Sequence, residues 1–316
     1  MSAHEVVDEQ VEGLGCVVLV SPDDELRAGF APAAGMVGYS LLHRGEQLLG
    51  LGGGLTAYRE RGSTFGMPLL YPWANRLSGY AYTVLGREVV LDSSRSPLHL
   101  DPNGLPIHGV LAASPHWELD NRGTSEGSAA IGARLDYGAH DELLAAFPFP
   151  HEVRVDAELA GHTLTVATTV RPTEDTPVPV AFGWHPYLCL PGLPREEWWV
   201  EMPVLTRAVL DERGIPTGRE EPAEIAPGPL ADRSYDDLFT SLAEPPRFVL
   251  EGQGRRIEVE FGAGYPLAQV YTPAGAQFIC FEPMTAPTNA LTTGEGLRTV
   301  PPGDAFRAEF HVRVLT

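Results

Sequence analysis

Lysine is absent from this chain. All 22 basic residues among its 316 are arginine, set against 42 Asp and Glu, so the formal net charge is -20. Chemistries that need a side-chain primary amine have no residue to run on: Schiff-base aldol cleavage, pyridoxal attachment and the Walker phosphate loop. The acid excess argues against a duplex nucleic-acid partner, which needs a basic stripe to neutralise phosphates. An anionic membrane surface would repel the chain for the same reason. A neutral small molecule, or one held locally by arginine, is the more natural partner.

Other things are scarce too. Three cysteines, Cys16, Cys189 and Cys280, are too few and too scattered for a disulfide framework or a CxxC metal site. No apolar run approaches the 18 or so residues of a membrane span. The first eight residues are acidic, without a basic segment followed by an apolar one. These absences predict a soluble, reduced, cytoplasmic protein. HExxH, GxSxG, a strand-linked GxGxxG and an EF-hand loop are all missing. His108/His116 and His140/His151 lack helical ligand spacing, so no metal is expected.

What is present is turn and strand signal. Gly (34) and Pro (29) make up about a fifth of the chain and fall at short intervals. Between them lie period-2 runs: Val153, Val155, Ala157 and Leu159 alternate with Glu152, Arg154, Asp156 and Glu158. The same alternation marks Ile257/Val259/Phe261 and Phe306/Ala308/Phe310/Val312/Val314, and residues 163–170 are β-branched. Gly161-His162 reads as a tight turn between two of these strands. The one fair helical stretch, Asp141–Ala146, is stopped by Pro148. The pattern predicts an all-β, mostly antiparallel sandwich or barrel, with residues 1–316 as one domain. Residues 191–234, rich in Pro, Gly and Glu, read as a long irregular excursion carried on the sheets.

Four segments place polar, titratable residues in apolar or turn-forming surroundings. Pro72-Trp73-Ala74-Asn75-Arg76-Leu77-Ser78-Gly79 offers an arginine fork for hydroxyls and an indole platform for a sugar face, or else a surface ion pair. In Gly104-Leu-Pro-Ile-His108-Gly109, the flanking Pro106 and Gly109 shape a turn whose histidine is either structural or a ligand contact. Phe182-Gly-Trp184-His185-Pro-Tyr187 sets a histidine among aromatics, where burial favours the neutral ring and a backbone-bonded core histidine is the competing reading. Phe278-Ile-Cys-Phe281-Glu282-Pro283-Met284 ends an apolar run on a carboxylate, with Pro283 expected to stop the strand. Desolvation there would lift Glu282 toward the working range of a general base.

In order and context these segments resemble the aldose 1-epimerase (galactose mutarotase) family. The resemblance rests on Trp73-Ala-Asn75-Arg76-Leu-Ser-Gly79, Ile107-His108-Gly109, His185-Pro-Tyr187, Ile215-Pro-Thr-Gly218, Tyr235-Asp236-Asp237-Leu-Phe239 and Phe281-Glu282-Pro-Met-Thr-Ala-Pro287. It implies a galactose mutarotase-like β-supersandwich with an open site on one sheet, acting on a monosaccharide as a monomer or homodimer without metal or coenzyme. It also implies Glu282 as general base and His185 as general acid, with Arg76, His108 and Asp236 holding sugar hydroxyls and Asn75 and Trp73 beside them. Asp237 is adjacent to Asp236, and in a strand only one of the two can enter the site. Val110 stands where relatives often carry a second glycine, and Leu-Cys follows Tyr187 where many have Phe-Asn.

Anomerisation opens a hemiacetal ring by taking the C1 hydroxyl proton while protonating the ring oxygen. A protonated His185 among aromatics needs a nearby carboxylate, either Asp236 or Glu282. The reaction passes through a free aldehyde that a lysine amine could trap as an imine, so the missing lysines fit it. Three alternatives stay open: a hexose-6-phosphate 1-epimerase, marked by Arg59 and Arg61; a sugar binder without chemistry; and a glycoside hydrolase using Glu282 and Asp236.

Overall fold

The fold comes from a computed structural model that describes residues 3–61 and 65–316. Strand alternation builds two large sheets that share one core. A nine-stranded antiparallel sheet starts with Glu118–Thr124, Ala129–Asp136, His151–Ala160 and Thr163–Pro172. It continues through Phe306–Leu315, Arg255–Phe261 and Arg247–Gly252 to Trp199–Glu201 and Gly228–Pro229. His151–Ala160 and Thr163–Pro172 form a hairpin with Ala160 opposite Thr163, so Gly161 and His162 are its two-residue turn, as expected.

The second sheet has eight strands. Pro216–Pro222, Val204–Leu210, Tyr235–Leu242, Leu267–Thr272 and Ile279–Met284 lie in that order, followed by Gly183–Trp184 and Leu69–Leu70. Tyr187–Leu188 also pairs with Ile279–Met284. The two sheets pack face to face across rings: Phe248 of the larger sheet lies 5.1 Å from Phe281 of the smaller, and Phe310 lies 5.9 Å from Trp184. Val155, Val166, Val259 and Phe310 from one side meet Phe239, Val270 and Phe281 from the other in one buried cluster. A five-stranded sheet from Glu5 to Gln47 extends the structure.

The alternation in Ile279–Met284 has a consequence for function. Ile279 and Phe281 enter the main core, which leaves Cys280, Glu282 and Met284 on the opposite face. The smaller sheet therefore has one face committed to the sandwich and one available for a site.

Three readings of the sequence need correction. Pro283 does not stop its strand: the ladder runs on from Gln269–Glu282 through Ala268–Pro283 to Leu267–Met284, because proline's fixed φ suits extended backbone. Residues 191–234 are not irregular. They supply strands to both sheets, Trp199–Glu201 and Gly228–Pro229 to one and Val204–Leu210 and Pro216–Pro222 to the other. Pro216–Pro222 and Gly228–Pro229, which hold part of that Pro and Glu, are edge strands and need no continuous apolar pattern.

The third correction is a helix at Gly54–Arg61, where no helical signal was read. Only Leu55 and Tyr58 of it are buried, so it carries little apolar periodicity. The Glu12 carboxylate accepts the Thr56 backbone N–H at 2.6 Å and caps the first turn from the hairpin turn between Glu5–Val11 and Leu14–Val20. The short helix Asp141–Leu144 matches the expected stretch. No helix among the described residues is long and apolar enough to cross a membrane.

Phe310 tests the union of the sheets. It is fully buried on a central strand and touches Trp184 of the other layer. Phe310→Ala is expected to cost about 3–5 kcal/mol of unfolding free energy, read by urea denaturation. A loss under about 1 kcal/mol would show that the layers do not rely on this contact.

Candidate active site

The available face of the eight-stranded sheet carries a small apolar cluster around Leu238, Leu267 and Met284 and, beside it, polar groups whose meeting is decided by strand register. Glu282 pairs across the ladder with Gln269, and Asp236 pairs with Tyr271 one strand further on. His185 falls in the gap between Gly183–Trp184 and Tyr187–Leu188. Gly183 pairs with Met284 and Tyr187 with Cys280, so the register carries His185 opposite Glu282. Pro186 interrupts the ladder at this point, and the His185 backbone N–H donates to Pro68 O at 3.0 Å instead. The result is a contact of 3.2 Å between His185 Nε2 and Glu282 Oε1, both side chains almost wholly buried. The Tyr187 ring stacks on the imidazole at 4.3 Å with an interplanar angle of 1°.

Two loops close over this floor. Asn75 (φ 57°) and His108 (φ 62°) both sit in the left-handed region and bond each other. The His108 N–H donates to Asn75 O at 3.0 Å, and the Asn75 N–H donates to His108 Nδ1 at 3.2 Å. A neutral His108 therefore carries its proton on Nε2. Gly109 locks the clasp: at φ 70°, a Cβ there would lie 2.0 Å from Tyr71 O. Only glycine fits so close an approach.

Arg76 is held as a fork. Its Nε donates to Asp101 Oδ2 at 2.8 Å and its Nη1 to Asn75 Oδ1 at 3.1 Å, with Nη2 3.6 Å from Asp236 Oδ2. Asp101 is buried and also accepts the backbone N–H of Asn103 and Leu105. Burial pushes its carboxyl up, but the bond from Leu105 and the Arg76 guanidinium outweigh it and hold it below the ordinary range. A second carboxylate, Asp236, accepts from Gln269 Nε2 at 2.7 Å.

These groups line a cavity of about 460 Å³. That lies within the range of small-molecule sites. Burial pushes Glu282 well above the usual carboxylate value; Asp236 adds to the rise and Arg76 opposes it. Burial pulls His185 down to about 3. It also pulls His108 well down, helped by His185 and Arg76. Desolvation thus acts on the pair in one direction: one proton suits Glu282 and His185 together better than two or none. Glu282 Oε2, His185 Nδ1 and Gln269 Oε1 are buried with no hydrogen-bond partner among the described residues. Buried orphans are costly and call for an explanation.

Of the residues singled out from the sequence, Glu282, His185, Arg76, His108, Asn75 and Asp236 all line this cavity. Trp73 does not, and its assignment as a platform is corrected. Trp73 forms a parallel bridge with Ala181, which turns the indole into the main core, where it is 1% exposed. The choice between adjacent aspartates falls to Asp236. Asp237 leaves on the opposite side of its strand and pairs with Arg207 at 3.2 Å. Sequence reading missed Asp101 and Gln269. Asp101 opens Asp-Pro-Asn-Gly, a turn-forming sequence that gives a buried carboxylate no separate signal. Gln269 alternates with Ala268 and Val270, a faint sign of a polar face on a buried strand.

A buried carboxyl–imidazole pair and an arginine fork thus line one cavity of small-molecule size on a β-sandwich. The aldose 1-epimerase family model matches residues 40–313, and the chain belongs to that family. It is 23% identical over 252 residues, 77% of each chain, to the uncharacterised protein YihR of Escherichia coli (strain K12). Among solved structures, a galactose mutarotase-like protein from Clostridium acetobutylicum superposes with a TM-score of 0.86 at 17% identity, over 99% of this chain and 98% of that one. The galactose 1-epimerase from Lactobacillus acidophilus NCFM gives 0.75 at 16% identity, over 99% of each chain. The fold is therefore the galactose mutarotase-like one that the resemblance implied.

Gly109→Ala tests the clasp. Left-handed strain and overlap with Tyr71 O should cost roughly 1–3 kcal/mol or more, measured by thermal or urea unfolding. A variant as stable as the parent would show that the loop has another conformation open to it.

Proposed function

We propose that this chain is an aldose 1-epimerase that interconverts the α and β anomers of a free hexose, with Glu282 as base and His185 as acid. The observation that carries the proposal is the buried His185–Glu282 contact at 3.2 Å on the sheet face turned away from the sandwich core. The two atoms that exchange protons in anomerisation, the C1 hydroxyl oxygen and the ring oxygen, are bonded to the same carbon. An acid and a base in contact can reach both, so they need not flank the sugar from opposite sides.

One proton over the pair is enough. With the proton on His185, the Glu282 carboxylate takes the C1 hydroxyl proton while the imidazolium protonates the ring oxygen. The C1–O bond to the ring then breaks and an open-chain aldehyde forms. Rotation about C1–C2 presents the other face of the carbonyl, and the transfers run in reverse. Burial favours the uncharged form of the pair, with the proton on Glu282, over the ion pair with the same proton count. Hydrogen bonds from sugar hydroxyls, and the nearby Arg76 guanidinium, would stabilise the charged form. Arg76, His108 and Asp236 would hold the sugar hydroxyls, with Asn75 and Asp101 fixing the fork.

A second reading has one observation in its favour. Arg61 lines the cavity, and Arg59 lines the cleft beside it. Both could meet a 6-phosphate. Anomer exchange followed by NMR on a panel of aldoses, with and without 6-phosphates, separates the two. Binding without exchange across the panel would make the chain a sugar binder.

Glu282→Gln should lower catalysed exchange by about 10²–10⁴-fold or more while circular dichroism stays unchanged. An unchanged rate would sink the role of Glu282. The pH–rate profile should be broad. As pH falls through the His185 value of about 3, both groups become protonated and the base is lost. As pH rises past the raised Glu282 value, neither is protonated and the acid is lost. An acid limb in the ordinary histidine range would overturn the shared-proton account.

A further inference from the structure

The cleft beside the acid–base cavity shares Arg61, Leu98 and His99 with it and has a volume of about 520 Å³. His116 and Glu142 line its wall, and the proposed reaction uses neither. His116 Nε2 lies 2.9 Å from Glu142 Oε1, and His140 Nδ1 lies 4.0 Å from the same oxygen. All three ligating atoms fall within 4.8 Å of one another.

We propose that His116, His140 and Glu142 form a binding site for a borderline divalent transition ion of the zinc class, with its remaining positions open to the cleft. Two imidazoles and one carboxylate are a donor set that suits such an ion, whereas calcium and magnesium prefer oxygen alone. Bonds of about 2.0–2.2 Å in a tetrahedral site hold ligand atoms roughly 3.3–3.5 Å apart. The 2.9 Å pair has to open slightly and the 4.0 Å pair to close slightly.

The backbone under His140 and Glu142 is fixed. His140 O accepts from the N–H groups of Leu143 and Leu144, Ser96 Oγ donates to Glu142 O, and Tyr137 Oη donates to Leu143 O. The side chains have room to turn, with exposures of 31% for His116, 24% for His140 and 43% for Glu142. The rings now stack at 3.7 Å and 21°, so each must rotate about its Cβ–Cγ bond for the lone pairs to converge. A plain ion pair would need one imidazole. It gives no reason for a second to bring its Nδ1 toward the same carboxylate oxygen.

The test uses the full chain after removal of metal, titrated with Zn²⁺ and separately with Co²⁺. One equivalent is expected to bind per chain, with Co²⁺ developing visible absorption bands of a low-coordinate nitrogen–oxygen site. His116→Ala and Glu142→Gln should each weaken binding about tenfold or more. Glu282→Gln, in the neighbouring cavity, should leave it unaltered. In case a substitution disturbs the fold, ¹⁵N NMR of the imidazoles in the unaltered chain gives an independent reading, with Zn²⁺ expected to move the His116 and His140 signals. Absence of stoichiometric binding, full binding by His116→Ala, or shifts confined to His99, His108 and His185 would each overturn the site.

Discussion

A carboxyl group pressed against an imidazole in a dry place is the constraint around which this structure is arranged. Neither Glu282 nor His185 can hold a charge there cheaply, and both belong to a sheet whose other face is sealed into the sandwich core. Burying them separately would leave two titratable groups to be neutralised independently. Burying them in contact lets a single proton serve both, and the pair then contains an acid and a base in either arrangement.

The rest of the site keeps that pair in place and gives a ligand something to hold. The ladder from Tyr235–Leu242 through Leu267–Thr272 to Ile279–Met284 spaces Asp236, Gln269 and Glu282 along one face. The clasp between Asn75 and His108 sets Arg76 above them, with Asp101 beneath the guanidinium as a buried anchor. Two non-glycine residues in left-handed conformation and a glycine against a carbonyl are costs that meet in this clasp. Such costs persist only where surrounding packing over-determines the backbone, and the bridges Tyr71–Gly109, Trp73–Ala181 and Arg76–Ile107 do so here.

Much of the site was legible in the sequence. Glu282 stood out as a carboxylate ending an apolar run, and His185 as a histidine among aromatics. Both signals are local, so a linear reading can see them. Trp73 misled that reading because an indole beside Asn-Arg suits a sugar platform equally well, and only its pairing with Ala181 shows which way it faces. Asp101 was hidden by its second task of bonding the turn that follows it. His116 and Glu142, which the structure brings into contact, lie 26 residues apart, so no spacing rule could join them.

The sequence by itself determined the strand-rich class, through period-2 burial and frequent Gly and Pro. The lack of lysine excluded amine-based chemistry, since composition does not depend on folding. It also supplied the residues able to act as acid and base. Only the tertiary structure decided that His185 meets Glu282, that Asp236 rather than Asp237 faces the cavity, and that Trp73 belongs to the core. Each of those is a matter of register between strands distant in the chain. A shift of one residue sends a side chain to the other face of the sheet, and that shift is set by pairing partners which local pattern does not encode.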